Sequence, residues 1–256
     1  MTIHVGTSGW QYADWRGRFY PERLAQARWL EHYAARFGTV EVDNTFYRLP
    51  EKTTFERWAE RTPADFVVAL KASRYLTHVR RLADPKAPVA LLMERVAGLG
   101  GKRGPILVQL PPNLKLEQQR LAETLAAFPR GTRVAVEFRH ESWFVDPVQQ
   151  LLAQHDAALC VPDRANKALS PLWRTASWTY IRFHEGRASP RPCYGQRALE
   201  SWVERIGSLW DASCDVYAYF NNDHRCCAVR DARAFARIAD KRGIPVSRVP
   251  EEEFPV

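Results

Sequence analysis

The chain has 256 residues, with 37 Lys plus Arg against 29 Asp plus Glu, a formal net charge of +8 and a sequence pI near 9.4. This length suits one domain, no Pro/Gly-rich or low-complexity stretch divides it, and residues 1–256 are read as a single unit. No apolar run approaches the roughly 18 residues of a membrane span and no secretory leader layout opens the chain, so the expectation is a soluble, cytoplasmic protein without a membrane partner.

In chain order, eight short apolar runs rich in β-branched residues end in polar groups: IHVGTS (3–8), TVEVDN (39–44), FVVALK (66–71), ILVQLP (106–111), RVAVEFR (133–139), ALCVPD (158–163), TYIRFHE (179–185) and DVYAYFNND (215–223). Between them the period changes to that of helices. Residues 24–37 carry a stripe through Leu24, Ala27, Leu30, Tyr33 and Phe37, stopped by Gly38; further helices follow Thr54 and Pro88, cover 116–128, start at Pro147, and cover 198–209 and 228–242. Residues 164–177 (RANKALSPLWRTAS) carry a proline and no helical stripe, so the crossover there is short or irregular. Alternating βα units require a parallel sheet, and no GxGxxG follows the first run, so the predicted fold is α/β, a single (β/α)8 TIM-like barrel.

Active sites of such barrels form at the C-terminal face, from strand ends and βα loops. Here those loops mix rings and guanidinium groups: Trp10, Tyr12, Trp15, Phe19 and Tyr20 beside Arg16 and Arg18, then Phe46, Tyr47 and Arg48, then SRYLTHVRR (73–81), then HESWF (140–144) with Trp143. As a set they suit stacking on sugars or bases and pairing with phosphates. Taken singly, each ring can equally pack one loop against another.

The blocks GTSGWQYADWRGRFYP, EVDNTFYRLP, LKASRYLTH, VQLPP, VAVEFRHESW, YIRFHE and VYAYFNND, in this order, resemble the YecE-like family, a bacterial and archaeal group of unknown function. The resemblance spans nearly the whole chain and implies a TIM-barrel fold. It implies no defined activity, and a comparison with metal-dependent barrels is an analogy of fold. One departure is visible: an Arg-x-His-Gly stretch usual after the seventh strand reads Arg182, Phe183, His184, Glu185, Gly186 here.

Alternate side chains of each strand face the barrel interior, and a charge turned toward the helices would be costly. Parity therefore turns Glu41, Lys71, Gln109, Glu137, Arg182 and Asn221 inward near the top. Glu41 and Glu137 are the candidate acid and base, with Lys71 and His184 as further catalytic candidates. Ser8, Trp10, Tyr12, Trp15, Asn44, Tyr47, His78, Gln109, Arg139, Trp143, Arg182, Asn221 and Asn222 are candidate substrate contacts. A buried ion-pair network that only fills a polar layer is the competing reading. A Schiff base at Lys71 is disfavoured, since pairing with Glu41 or Glu137 would raise its pKa. His78, His140, His184 and His224 could bind a divalent metal with Glu41, Glu137, Asp163 or Asp223, although no HxH or HExxH spacing supports it.

The basic excess is mainly arginine, which favours an anionic small molecule or nucleic acid as partner; a merely solvated surface is the alternative. Three functions stay open: an enzyme, hydrolase or isomerase-like, acting on a phosphate-bearing substrate; a nucleic-acid or carbohydrate binding module without turnover; and a glycosidase using Glu41 and Glu137. Five cysteines without CxxC spacing read as reduced thiols, with Cys226 and Cys227 packed as small residues at the last helix.

Overall fold

The computed structural model describes residues 1–210 and 213–254. Among these residues nine strands form: β1 (Ile3–Thr7), β2 (Thr39–Val42), β3 (Val67–Lys71), β4 (Arg103–Gln109), β5 (Val134–Glu137), β6 (Ala158–Arg164), β7 (Lys167–Ala168), β8 (Trp178–Glu185) and β9 (Asp215–Phe220). Seven helices accompany them among the described residues: α1 (Trp29–Arg36), α2 (Lys52–Glu60), α3 (Lys86–Val96), α4 (Gln118–Ala127), α5 (Asp146–Gln154), α6 (Gln196–Leu209) and α7 (Cys227–Lys241). Eight strands pair in parallel in the order β1-β9-β8-β6-β5-β4-β3-β2. The end strands meet through a bridge between Ser8 and Glu41 and a Gly9 N–H donated to the Glu41 carbonyl at 2.7 Å, which nearly closes a TIM-like barrel. Gly6 permits that closure, since a Cβ there would run into the Thr39 carbonyl.

All eight apolar runs become the barrel strands, because alternation at period two survives in each. Helix starts are less legible. The first helix begins at Trp29, with a Pro21–Leu24 turn and a 3-10 turn at Gln26–Arg28 ahead of it, and the second begins at Lys52, before Thr54. The irregular crossover is real: no helix joins β6 to β8. Instead β7 folds back antiparallel on β6 around Ala165 and Asn166, both with positive φ, the geometry of a tight hairpin.

The interior separates into two cores. One lies between strands and helices and takes the outward parity, as in Val40, Val68, Val108, Val136 and Ile181 packed with Leu30, Phe55, Leu92, Leu121 and Phe235. The other fills the barrel: Ala69, Leu107, Ala135, Ala158, Cys160, Trp178, Tyr180, Tyr217 and Tyr219. At the N-terminal end Arg133 donates to Tyr217 Oη at 2.6 Å and Asp215 at 3.1 Å and covers the Trp178 ring, so that end is plugged. Polar chemistry is left to the other end.

The cysteine expectation is corrected here. Cys193 and Cys227 form a disulfide, while Cys160, Cys214 and Cys226 stay thiols. Asp231 on α7 accepts the Tyr194 N–H at 2.7 Å and Asn222 donates to the Pro192 carbonyl at 3.1 Å, which lays the loop after β8 against the start of α7. Cys227 thus meets a partner 34 residues away, a contact that spacing motifs do not encode. Such a cross-link is unusual in a reducing cytosol. Among the described residues no helix is long and apolar enough to cross a membrane.

Candidate active site

At the C-terminal ends of five strands, an inward apolar residue is followed two positions on by a polar one. Ala69 precedes Lys71, Leu107 precedes Gln109, Ala135 precedes Glu137, Tyr180 precedes Arg182 and Tyr219 precedes Asn221. The predicted ring therefore exists, and Arg182 is its centre. Arg182 is 1% exposed, and its guanidinium donates to Glu41 Oε1 from Nε at 3.1 Å and from Nη2 at 2.7 Å, to Glu137 Oε2 from Nη1 at 3.1 Å, and to Asp43 at 3.1 Å.

Both glutamates are fully buried. Glu41 also accepts from Ser8 Oγ and from Tyr180 Oη at 2.6 Å, and Glu137 from Gln109 Nε2 at 3.0 Å and in an ion pair with Arg139. Burial alone would raise the Glu137 carboxyl, but Arg182, His184 and Arg139 outweigh it and hold the group far below the ordinary glutamate range. A carboxylate held this way is a poor proton carrier. Both glutamates bond the Arg182 guanidinium and fix it in place.

Above this layer stand groups that solvent reaches. Lys71 Nζ lies 3.8 Å from Asp43 Oδ1 and 4.5 Å above the centre of the Phe46 ring. The Lys71 and Asp43 side chains are 11% and 27% exposed. Burial pulls the Lys71 ammonium below the ordinary lysine range, and the pull of Asp43 does not offset it, which reverses the expectation from ion pairing. Arg139 is 27% exposed; it pairs through Nη2 with Glu137 Oε1, and its buried Nε is left without a hydrogen-bond partner among the described residues. His184 Nε2 lies 3.8 Å from Glu137 Oε1, and its Nδ1 is 3.1 Å from Asn221 Nδ2. Burial holds its ring below the ordinary histidine range, Glu137 working against the shift and Arg182 with it, so the ring is neutral at pH 7.

Other candidates fall elsewhere. Tyr12 lies over the end of β1, its hydroxyl donating to the Ser8 carbonyl, and borders the mouth. Trp15 and Trp143 are fully buried and donate to the Asp223 and Leu114 carbonyls at 3.1 and 2.7 Å, so they hold loops and present no stacking face. Trp10 packs edge-on against Trp58. Asn222 has the outward parity and donates to Asp231 at 2.7 Å, tying β9 to α7. Asn44 and Tyr47 are exposed on the loop after β2, and His78 sits edge-on to Phe46 at 4.9 Å.

The donors do not fit a metal. Among the described residues no group of three or more His, Cys, Asp or Glu side chains is placed to hold a metal ion. His140 bonds Ser142, His224 is exposed, and Asp163 faces the helices, accepting from Tyr194 Oη at 2.5 Å and Trp202 Nε1 at 3.0 Å. The carboxylates of Glu41, Asp43 and Glu137 share the Arg182 guanidinium, which takes the place of a bridging cation.

Asp43 and Tyr180 were not anticipated. Each lies two residues from a ring member, Glu41 or Arg182, so extending the same parity one step would have found both.

Comparison with known proteins matches this architecture. The chain is 25% identical over 274 residues to UPF0759 protein YunF of Bacillus subtilis, covering 93% of this chain and 95% of the relative. A DUF72 family protein of Thermotoga maritima superposes with TM-score 0.79 at 27% identity over 94% of this chain and all of that one. One from Enterococcus faecalis superposes with TM-score 0.77 at 19% identity over 93% and 96%, a likeness of fold. The family described as "Protein of unknown function DUF72" matches residues 4–253, and the chain belongs to it, the group the YecE-like resemblance pointed to.

Proposed function

We propose that the chain is an enzyme that binds an anionic, phosphate-bearing substrate at the C-terminal barrel mouth and handles a proton there with Lys71 and Asp43. The observation that carries this reading is the tiering of charge: Arg182, Glu41 and Glu137 are sealed, while solvent partly reaches Lys71, Asp43 and Arg139 nearer the mouth. A polar layer that only fills the barrel needs no second tier. Arg139, 27% exposed, presents a guanidinium that suits an anion. Burial draws the Lys71 ammonium below the ordinary lysine range, which eases its loss of a proton, and Asp43 is placed to share that proton. His184 and Asn221 orient the bound group, and Glu41 and Glu137 hold Arg182 as fixed positive charge beneath developing negative charge. Hydrolysis and proton-transfer rearrangement of a phosphate ester both fit this set.

The test is a panel of inorganic phosphate and of sugar, aryl and nucleoside phosphates, with binding followed by calorimetry and conversion by product analysis. Arg139→Ala should weaken binding of the active panel member about ten-fold or more. Lys71→Met should abolish turnover and leave binding within a few-fold. Phosphate esters bound no better by the wild type than by the Arg139→Ala/Lys71→Met double variant would sink the reading, and Lys71-independent retention without conversion would leave a binding module.

A further inference from the structure

We infer that a cleft beside the mouth, between the loop after β2 and the segment after β3, is a subsite for a flat aromatic or heterocyclic ring of the substrate. The inference rests on the reading of the mouth as an anion site and names what else the substrate carries. The cleft, of about 540 Å³, is lined by Phe46, Tyr47, Leu49, Tyr75, Pro88 and Leu91 among others. Its volume lies in the range of small-molecule sites, roughly 300–1,000 Å³. Tyr47 is 79% exposed, Tyr75 55% and Leu91 45%, whereas Trp15, Tyr20 and Trp143 in neighbouring loops are buried. Large apolar side chains gathered at one cleft and left open to water mark a binding surface.

Two independent features fall on the same segment. Tyr75–Val79 winds as a π-helical turn, a geometry concentrated at functional sites. Just beyond it Arg81, Leu82 and Asp84 all adopt positive φ, at 50°, 65° and 47°, which costs energy in residues that are not glycine. The strained run is braced: Arg80 pairs with Asp84, and Arg81 donates to the Asn113 carbonyl at 2.8 Å. That bracing holds Tyr75 out over the cleft.

Phe46 joins the cleft to the charged mouth. Lys71 Nζ lies over its face, while Tyr47 meets it edge-on at 5.0 Å between ring centres. A substrate with its anion near Lys71 and Arg139 therefore extends along Phe46 to the two tyrosines. The walls are phenol rings and aliphatic side chains, with charge only at the Arg80–Asp84 edge, which suits a ring that stacks better than a polar sugar or a charged peptide.

Inorganic phosphate, phenyl phosphate and phenol are the probes, followed by ligand-observed NMR and calorimetry on the full chain. Phenyl phosphate should bind about ten-fold more tightly than inorganic phosphate, and Tyr47→Ala/Tyr75→Ala should remove that advantage while leaving inorganic phosphate unchanged. Both side chains are exposed, so the variant keeps its fold, which its melting temperature checks. Binding of phenol that depends on the tyrosines, without any phosphate effect, keeps the cleft and rejects the anion site. Aryl binding indifferent to Tyr47 and Tyr75, or none at all, overturns the inference.

Discussion

Replacing Arg182 by methionine tests whether one guanidinium holds the floor of the barrel together. The substitution keeps length and removes the charge that Glu41, Glu137 and Asp43 share. Both glutamates would stay buried with part of their shells: Glu41 keeps Ser8 and Tyr180, and Glu137 keeps Gln109 and Arg139. Removing one partner of a buried pair costs about 3–5 kcal/mol, and the surviving donors keep the loss in that range instead of doubling it. The pH dependence should also reverse. In the wild type Glu137 is held below its reference value of 4.5, so its contribution is present above that pH and is lost as pH falls through and below it. Without Arg182, burial dominates and the Glu137 carboxyl rises, so the variant should gain relative stability on acidification and lose it as pH climbs. Urea unfolding at several pH values between 4 and 8, on the order of the titration range of a buried carboxyl, measures both effects. A loss under about 1 kcal/mol with an unchanged pH profile would mean that the carboxylates are solvated and that Arg182 is not their anchor.

Lys71→Met removes a desolvated ammonium, so stability at pH 7 should hold or rise while any turnover disappears; a marked fall in melting temperature would show Lys71 to be a structural ion-pair member. Gly6→Ala should cost about 1–3 kcal/mol or more by urea midpoint, because the added methyl meets the Thr39 backbone at the β1–β2 closure; a neutral result would place the seam elsewhere. Thiol titration of the unfolded, unreduced protein should count three of the five cysteines, and Cys193→Ser/Cys227→Ser should lower stability by about 3–4 kcal/mol for the 34-residue span. A count of five would remove the disulfide.

The sequence made the strands and the inward ring readable, because both rest on a period of two that local residues obey on their own. Position after position, an apolar residue inside the barrel is followed by a polar one nearer the mouth, as in Leu107 and Gln109 or Ala135 and Glu137. Which polar group bonds which is a matter of geometry across the barrel. Arg182 reaches Glu41 from 141 residues away, and no spacing rule distinguishes that contact from one with Asp223. The aromatic loops failed differently. Trp15 and Tyr47 occur in equally basic, ring-rich segments, yet one is buried and the other stands in water, because loop packing is decided by neighbours far along the chain. The Cys193–Cys227 contact is equally non-local.

The placement of Arg182 moves the chemistry of this barrel up by one layer. Three carboxylates near one point would ordinarily repel or recruit a cation, and either outcome leaves them open to protons or to a metal. A guanidinium supplied by β8 neutralises part of that charge at a fixed position, forms directed bonds to each carboxylate, and cannot leave. It holds Glu137 as a carboxylate. By the same act it gives the mouth a rigid base beneath Lys71, Asp43, Arg139 and His184. Polar strand ends alone suggest catalysis by the buried carboxylates; the function proposed above places reactivity instead on Lys71 and Asp43, next to a cleft whose tyrosines are open to solvent.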